Sequence, residues 1–167
     1  PTLEKYCRIR LSTFPVRIAG IRISALELAT DKAPPYARRK ARRGEVVGLR
    51  LEANGKCFVY LPGLPAINQA VNEFVAGCDC LLVDGTLWRD DEMRLCEVGD
   101  KLGSEMGHLP QSGPGGMLEV LGGLQDKRRV LIHINNTNPI LDADSAERAE
   151  LDARGIEVAR DGMAIRL

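Results

Sequence analysis

Apolar positions in the first part of the chain recur with a period of two. Ile9 and Leu11 alternate with polar neighbours between Arg8 and Thr13, and Pro15 ends that run. Residues Ile18 to Leu28 repeat the pattern more strongly through Ile21, Ile23 and Ala25, which predicts a half-buried strand. Val46–Glu52 and Lys56–Leu61 read as two further strands joined at Ala53-Asn54-Gly55. Asn-Gly between alternating runs predicts a hairpin, because both residues tolerate positive φ. After a turn at Leu61-Pro62-Gly63-Leu64-Pro65 the period changes. Ile67, Ala70, Val71, Phe74 and Val75 fall at helical spacing up to Ala76, with Gly77 placed to end the helix. Cys80–Val83 is a short apolar run that reads as a buried strand, and Asp84-Gly85-Thr86 follows as a turn.

Leu87–Gly116 shows little apolar periodicity and is rich in glycine. Irregular connections of that length in compact domains are usually functional loops. Leu118–Leu124 then predicts a short helix, Arg129–Ile134 a strand, and Asn138-Pro139 a turn. Ser145–Arg154 predicts a helix capped by Ser145, with Glu147 in its first turn and Gly155 after its end. Ile156–Ala159 and Met163–Leu167 predict a last strand pair around Asp161-Gly162. This order predicts an α/β fold with a mixed sheet, without internal repeats or a dividing linker.

Charge narrows the function classes. Lys plus Arg and Asp plus Glu number 23 each, so no global field draws nucleic acid or an anionic membrane. No apolar run reaches the roughly 18 residues that a membrane span needs, and no secretory leader pattern is present, so the expected location is cytoplasmic. The loop Thr30–Gly44 contains Pro34-Pro35 and the basic run Arg38–Arg43. Without interleaved aromatics, that run reads as a solvated loop ahead of a phosphate or nucleic-acid site. Five cysteines are an odd number without secreted-scaffold spacing. Cys78-Asp79-Cys80 lacks the two-to-four-residue spacing and second pair of a zinc ribbon, so Cys78 and Cys80 read as small buried residues.

Candidate chemistry gathers between Leu81 and Pro139. Asp84 directly follows an apolar strand, where it either caps the turn or belongs to a site. The two histidines of the chain, His108 and His133, both lie here. His108, between Gly107 and Leu109-Pro110, can ligate metal, transfer a proton or lie exposed. His133 reads as internal to an apolar strand, where a lone imidazole is more often a core group. The polar run Asn135-Asn136-Thr137-Asn138 behind it instead suits a polar pocket at a strand end. Trp88, Asp90, Asp91 and Glu92 are candidates for its rim or for hydrogen bonds behind it. Together these residues predict a metal site.

The segments Val83-Asp84-Gly85-Thr86-Leu87-Trp88-Arg89-Asp90-Asp91-Glu92-Met93, Met106-Gly107-His108-Leu109-Pro110 and Ile132-His133-Ile134-Asn135-Asn136-Thr137-Asn138-Pro139-Ile140-Leu141 resemble the coenzyme PQQ synthesis protein B family. Lys32-Ala33-Pro34-Pro35-Tyr36, Leu61-Pro62-Gly63-Leu64 and the tail from Asp142 to Gly162 extend the resemblance over almost the whole chain, with Leu87 standing where the family usually has Phe. The resemblance implies a metallo-β-lactamase-like αββα sandwich, of which residues 1–167 would be the C-terminal part, with a mixed sheet and flanking helices. It implies a divalent metal, iron or zinc, held by Asp84 and His133. His108 would be a further ligand or proton donor, so that Asp84 and His108 act in catalysis. Asp91, Glu92, Asn135, Asn136 and Asn138 would lie behind the ligands or touch substrate. The implied role is in pyrroloquinoline quinone (PQQ) biosynthesis, as oxidation or hydroxylation of the tyrosine-derived part of a precursor peptide. The alternatives are a carrier that helps transport PQQ or its precursor to the periplasm, and a metal-dependent hydrolase. A homodimer is compatible with either. With two histidines in all, the superfamily's early His/Asp cluster is not in this sequence. The site is therefore expected to be incomplete and the chain alone inactive.

Overall fold

The computed structural model describes residues 14–28 and 44–167. The expected strand Arg8–Thr13 and residues 30–43 of the expected loop, with its basic run, lie outside them. Among the described residues seven strands form one mixed sheet in chain order. They are β1 (Val16–Ile18), β2 (Ile21–Glu27), β3 (Val47–Ala53), β4 (Lys56–Leu61), β5 (Cys80–Asp84), β6 (Arg128–Ile132) and β7 (Glu157–Val158). The first four are antiparallel; β4 to β7 run parallel. This is the α/β fold with a mixed sheet and flanking helices that the sequence predicts.

The switch from antiparallel to parallel follows the connections. Asn54 and Gly55 both have positive φ, 53° and 74°, which matches the twist of the β3–β4 hairpin. Ala19 and Gly20, at 49° and 84°, do the same between β1 and β2, so the single strand expected from Ile18 onwards is a hairpin. Beyond β4 every connection contains helix, and a helical crossover returns the chain parallel. The first is α1 (Gln69–Val75), where the Asn68 side chain accepts from Val71 N at 3.0 Å and sets the start. Then come α2 (Glu92–Leu95), α3 (Gly103–Met106), α4 (Met117–Gly122) and α5 (Ala146–Ala153). Ser145 caps α5 as expected, accepting from Arg148 N at 3.0 Å.

Two expectations change here. Leu87–Gly116 contains the single helical turns α2 and α3, too short to display a period. At the C-terminus Met163 N donates to Arg160 O at 3.0 Å, so the Asp161-Gly162 turn forms. The segment after it joins no strand, and β7 instead pairs parallel with β6. A turn is a local preference, whereas strand pairing depends on which edge is free.

The core lies on one face of the sheet. Val59, Leu61, Leu81, Val83 and Leu131 pack there against Val71 and Val75 of α1, Met117 and Leu121 of α4, and Leu151 of α5. Two arginines fasten the helices to that face. Arg50 donates to Phe74 O and Ala76 O behind α1, and Arg129 donates to Leu121 O and Arg154 O behind α4 and α5. Alternation places Ile21, Ile23, Leu49, Leu51, Phe58 and Leu82 on the opposite face, where they are half-buried. Cys78 and Cys80 are buried, as their reading as small core residues requires; Cys57 is buried too, and burial pushes the Cys78 thiol up to about 11. Among the described residues no helix is long and apolar enough to cross a membrane.

Candidate metal centre

Strands β4, β5 and β6 are parallel, so their C-terminal ends share one edge, the usual position of sites in α/β sheets. Leu61 pairs with Val83 and Asp84 with Ile132. The chain leaving each strand supplies part of the site: Leu64 after β4, Asp84 and Thr86 at the end of β5, and His133 directly after β6. His108 arrives from the long connection, which is stitched to the same edge. Leu109 N donates to Leu64 O at 2.8 Å, Gln111 N to Leu87 O at 3.0 Å and His108 N to Gly103 O at 3.0 Å.

Asp84 is fully buried. A buried carboxylate needs donors, and here each oxygen has two. Oδ2 accepts from Leu64 N at 2.8 Å and from His108 Nδ1 at 2.7 Å. Oδ1 accepts from the Thr86 amide at 3.1 Å and from the Thr86 hydroxyl. The sequence left open whether Asp84 caps the turn or belongs to a site; it caps the turn through Thr86, and its carboxylate lies beside both imidazoles. The two imidazoles stack with centroids 5.2 Å apart. Asp84, His108 and His133 each offer one ligand atom, and these atoms lie within 4.8 Å of one another.

His133 departs from its expected place. The strand ends at Ile132, and His133 has a φ of +56°, so it is the first residue past the strand and not part of it. Left-handed backbone is uncommon for a residue with a Cβ, and such conformations gather at functional sites. The turn lifts the ring out of the core, leaving 54% of the side chain exposed, against 18% for His108.

The remaining candidates divide. Glu92 is buried and accepts from Trp88 N at 2.6 Å and from the Thr137 hydroxyl at 2.6 Å, so it joins the segment after β5 to the segment after β6. Thr137 in turn accepts from Asn135 Nδ2 at 2.6 Å, while Asn135 N donates to Thr86 O at 3.0 Å. Asn138 is buried and donates to Gly85 O at 3.0 Å. Glu92, Asn135 and Asn138 therefore hold the loops behind the cluster. Asn136 is exposed. Asp91 is paired with Arg89 at 2.9 Å, which holds its carboxyl below the ordinary range, and it lies outside the cluster. Two contributors escaped the sequence reading. The buried Gln111 donates to Gly85 O. Thr86 bonds every member of the cluster. The signal was the Asp-x-Thr spacing, which lets a hydroxyl reach the carboxylate two residues before it.

The donor set suits a divalent metal: one carboxylate with two imidazoles is used for zinc and for non-haem iron. Asp84 must exchange one hydrogen bond to become a ligand, since its four acceptor positions are filled. The Cys78/Cys80 pair takes no part in this cluster.

A family model for a β-lactamase superfamily domain matches residues 8–134, a span that includes Asp84, His108 and His133. The chain belongs to the β-lactamase superfamily. Within that superfamily, coenzyme PQQ synthesis protein B of Stutzerimonas stutzeri is 61% identical over 152 residues, covering 89% of this chain and 50% of that protein. Its counterpart from Methylococcus capsulatus is 48% identical over 174 residues, covering 98% and 57%. The structure of Zn(2+)-bound PqqB from Methylobacterium extorquens superimposes with a TM-score of 0.82 at 37% identity, covering 90% of this chain and 52% of that one. The metallo-β-lactamase-fold protein YhfI of Bacillus subtilis, at 13% identity and a TM-score of 0.53, shares the fold. The chain spans about half the length of the curated relatives it matches.

Proposed function

We propose that this chain carries part of the metal site of a PQQ-biosynthesis protein and that Asp84, His108 and His133 hold a divalent ion there. The observation that carries this is the convergence of one buried carboxylate and two imidazoles on a single sheet edge. The zinc in the PqqB relative and the relatives' names support it. The proposed reaction is oxidation of the tyrosine-derived part of the precursor. The metal, when bound, supplies a Lewis acid or, as iron, a centre that activates oxygen. The chain's own contribution is positional. Asp84 anchors the cluster from inside the core, His108 is held against it through Nδ1 at 2.7 Å, and His133 is the more exposed of the two rings. The carrier reading rests on the basic run, which lies outside the described residues, and on the Asn-rich turn, where Asn135 and Asn138 are engaged by Thr137 and Gly85; the hydrolase reading has only fold analogy behind it.

The test is metal content by elemental analysis, after loading with iron or zinc, for the wild type and for Asp84→Ala and His133→Ala in the full-length protein. Both variants are expected to lose most bound metal. Undiminished metal in both overturns the assignment. Turnover of a tyrosine-containing precursor by the loaded protein separates oxidation from simple carriage.

A further inference from the structure

The Thr86 hydroxyl lies within hydrogen-bond distance of four atoms. They are Asp84 Oδ1, His133 Nδ1 at 2.7 Å, His133 O at 2.9 Å and His108 Nδ1 at 3.1 Å. A hydroxyl has one proton and two lone pairs. Two of the four neighbours, the Asp84 carboxylate and the His133 carbonyl, can only accept, so the Thr86 proton points to them, with Asp84 Oδ1 the nearer. No proton of Thr86 then remains for His133 Nδ1. A contact of 2.7 Å between that nitrogen and Oγ1 requires a proton, and it must be the imidazole's own. The same argument applies to His108: at 2.7 Å from a carboxylate oxygen, its Nδ1 must donate.

Neutral His133 thus bears its proton on Nδ1 and its lone pair on Nε2. Free histidine favours the reverse arrangement. Other support for the ring is weak: it stacks on His108, and its Nδ1 lies 3.9 Å from Asp84 Oδ1. Thr86 is buried and holds both ends of the residue, the ring and the main-chain carbonyl of a left-handed position. We propose that Thr86 is the positioning residue of this centre: its hydroxyl fixes the tautomer and orientation of His133 so that Nε2 is the atom presented to a ligand. The tautomer follows from the hydrogen bonds alone. The consequence for metal affinity rests on the proposed metal site.

The two parts have separate readouts. Long-range proton–nitrogen NMR of protein labelled at histidine nitrogens reports the tautomer directly, and His108→Gln assigns the two rings. At about pH 8.5, above the ordinary imidazole value near 6.5, wild-type His133 is expected to show the Nδ1–H pattern. Thr86→Val, which keeps the shape and removes the hydroxyl, is expected to shift it towards the Nε2–H pattern, and Thr86→Ser to preserve it. Zinc affinity by competition with a chromophoric chelator is expected to fall about 10- to 100-fold in Thr86→Val, the usual effect of losing a partner behind a ligand, and to recover in Thr86→Ser. An Nε2–H pattern in the wild type overturns the proposal even if the valine variant does not fold. So does a folded Thr86→Val with unchanged tautomer and zinc affinity. The Nδ1–H pattern without any zinc uptake supports the role of Thr86 and removes the metal reading instead.

Discussion

Each oxygen of Asp84 accepts two hydrogen bonds in a position without solvent, so the carboxylate is a structural group before it is a chemical one. Asp84→Asn turns one acceptor into a donor facing an N–H or a hydroxyl. Leaving such groups unpaired in the core is expected to cost roughly 2–4 kcal/mol. Trp88, the one tryptophan and itself buried, reports this in urea unfolding by its fluorescence. A loss under about 0.5 kcal/mol, the range of ordinary surface changes, would show that these hydrogen bonds do not hold the turn. Cysteine accessibility gives a second prediction at this scale. Cys96 is exposed, whereas Cys57, Cys78 and Cys80 are buried with thiols pushed upward by burial. Alkylation near pH 8 followed by peptide mass mapping is expected to modify Cys96 and to spare Cys57, Cys78 and Cys80 until the chain unfolds.

At the scale of elements, Asp79 ties the start of β5 to its neighbours. Its carboxylate accepts from Cys57 N at 2.8 Å and from Lys56 at 3.1 Å, its own N–H donates to Cys57 O, and its carbonyl accepts from Arg128 N. The Cys57 amide first and the Lys56 ammonium second hold the carboxyl below its ordinary 3.8. A carboxyl depressed by folding stabilises the native state above the unfolded value, and that stability is lost as the pH falls through the native value. Unfolding midpoints measured below about pH 4 are therefore expected to decline less steeply for Asp79→Asn than for the wild type. Parallel curves would assign the acid sensitivity to other carboxylates. Gly85 is the tight point on the same strand's exit. A Cβ there would meet Leu131 Cβ at 2.9 Å and Ile132 O at 3.1 Å. Gly85→Ala should push β5 away from β6, lowering stability by about 1–3 kcal/mol and weakening metal uptake with it. Normal uptake in a destabilised protein would separate the turn from the site.

For the whole molecule, the site joins segments distant in sequence, so a bound ion would link the ends of β5 and β6 to the connection that carries His108. A ligand that binds only the folded state stabilises it by about 2.7 kcal/mol at a hundred times its dissociation constant. For a chain of this size that is on the order of 5–10 °C in the thermal midpoint. Zinc is expected to raise the midpoint, a chelator to reverse the shift, and Asp84→Ala and His133→Ala to abolish the response. A midpoint indifferent to zinc, iron and chelator would mean that no ion bridges these strands. The sheet meets its surroundings unequally: one face is sealed by α1, α4 and α5, and the other shows half-buried Ile21, Ile23, Leu49 and Leu51.

Local chemistry determined much of this protein. The Asn54-Gly55 hairpin, the Ser145-capped helix, the apolar run of β5 and the mixed α/β order all depend on preferences within a few residues, which a sequence displays directly. Asp84, His108 and His133 stood out as residue types placed beside strand ends, and the structure brings those three together. Tertiary structure decided what depends on partners distant in sequence. Periodicity placed His133 inside a strand, because nothing within a few residues shows that Thr86, 47 positions earlier, holds its carbonyl and ring. For Glu92 and Asn138 the sequence left open a place behind the ligands or against a substrate, and only the packed loops show that their polar atoms bond Trp88, Thr137 and Gly85. The C-terminal turn formed without its hairpin: β7 pairs with β6, and the segment after the turn joins no strand. A carboxylate, two imidazoles and a hydroxyl become one hydrogen-bonded centre only when parallel strands end on a common edge.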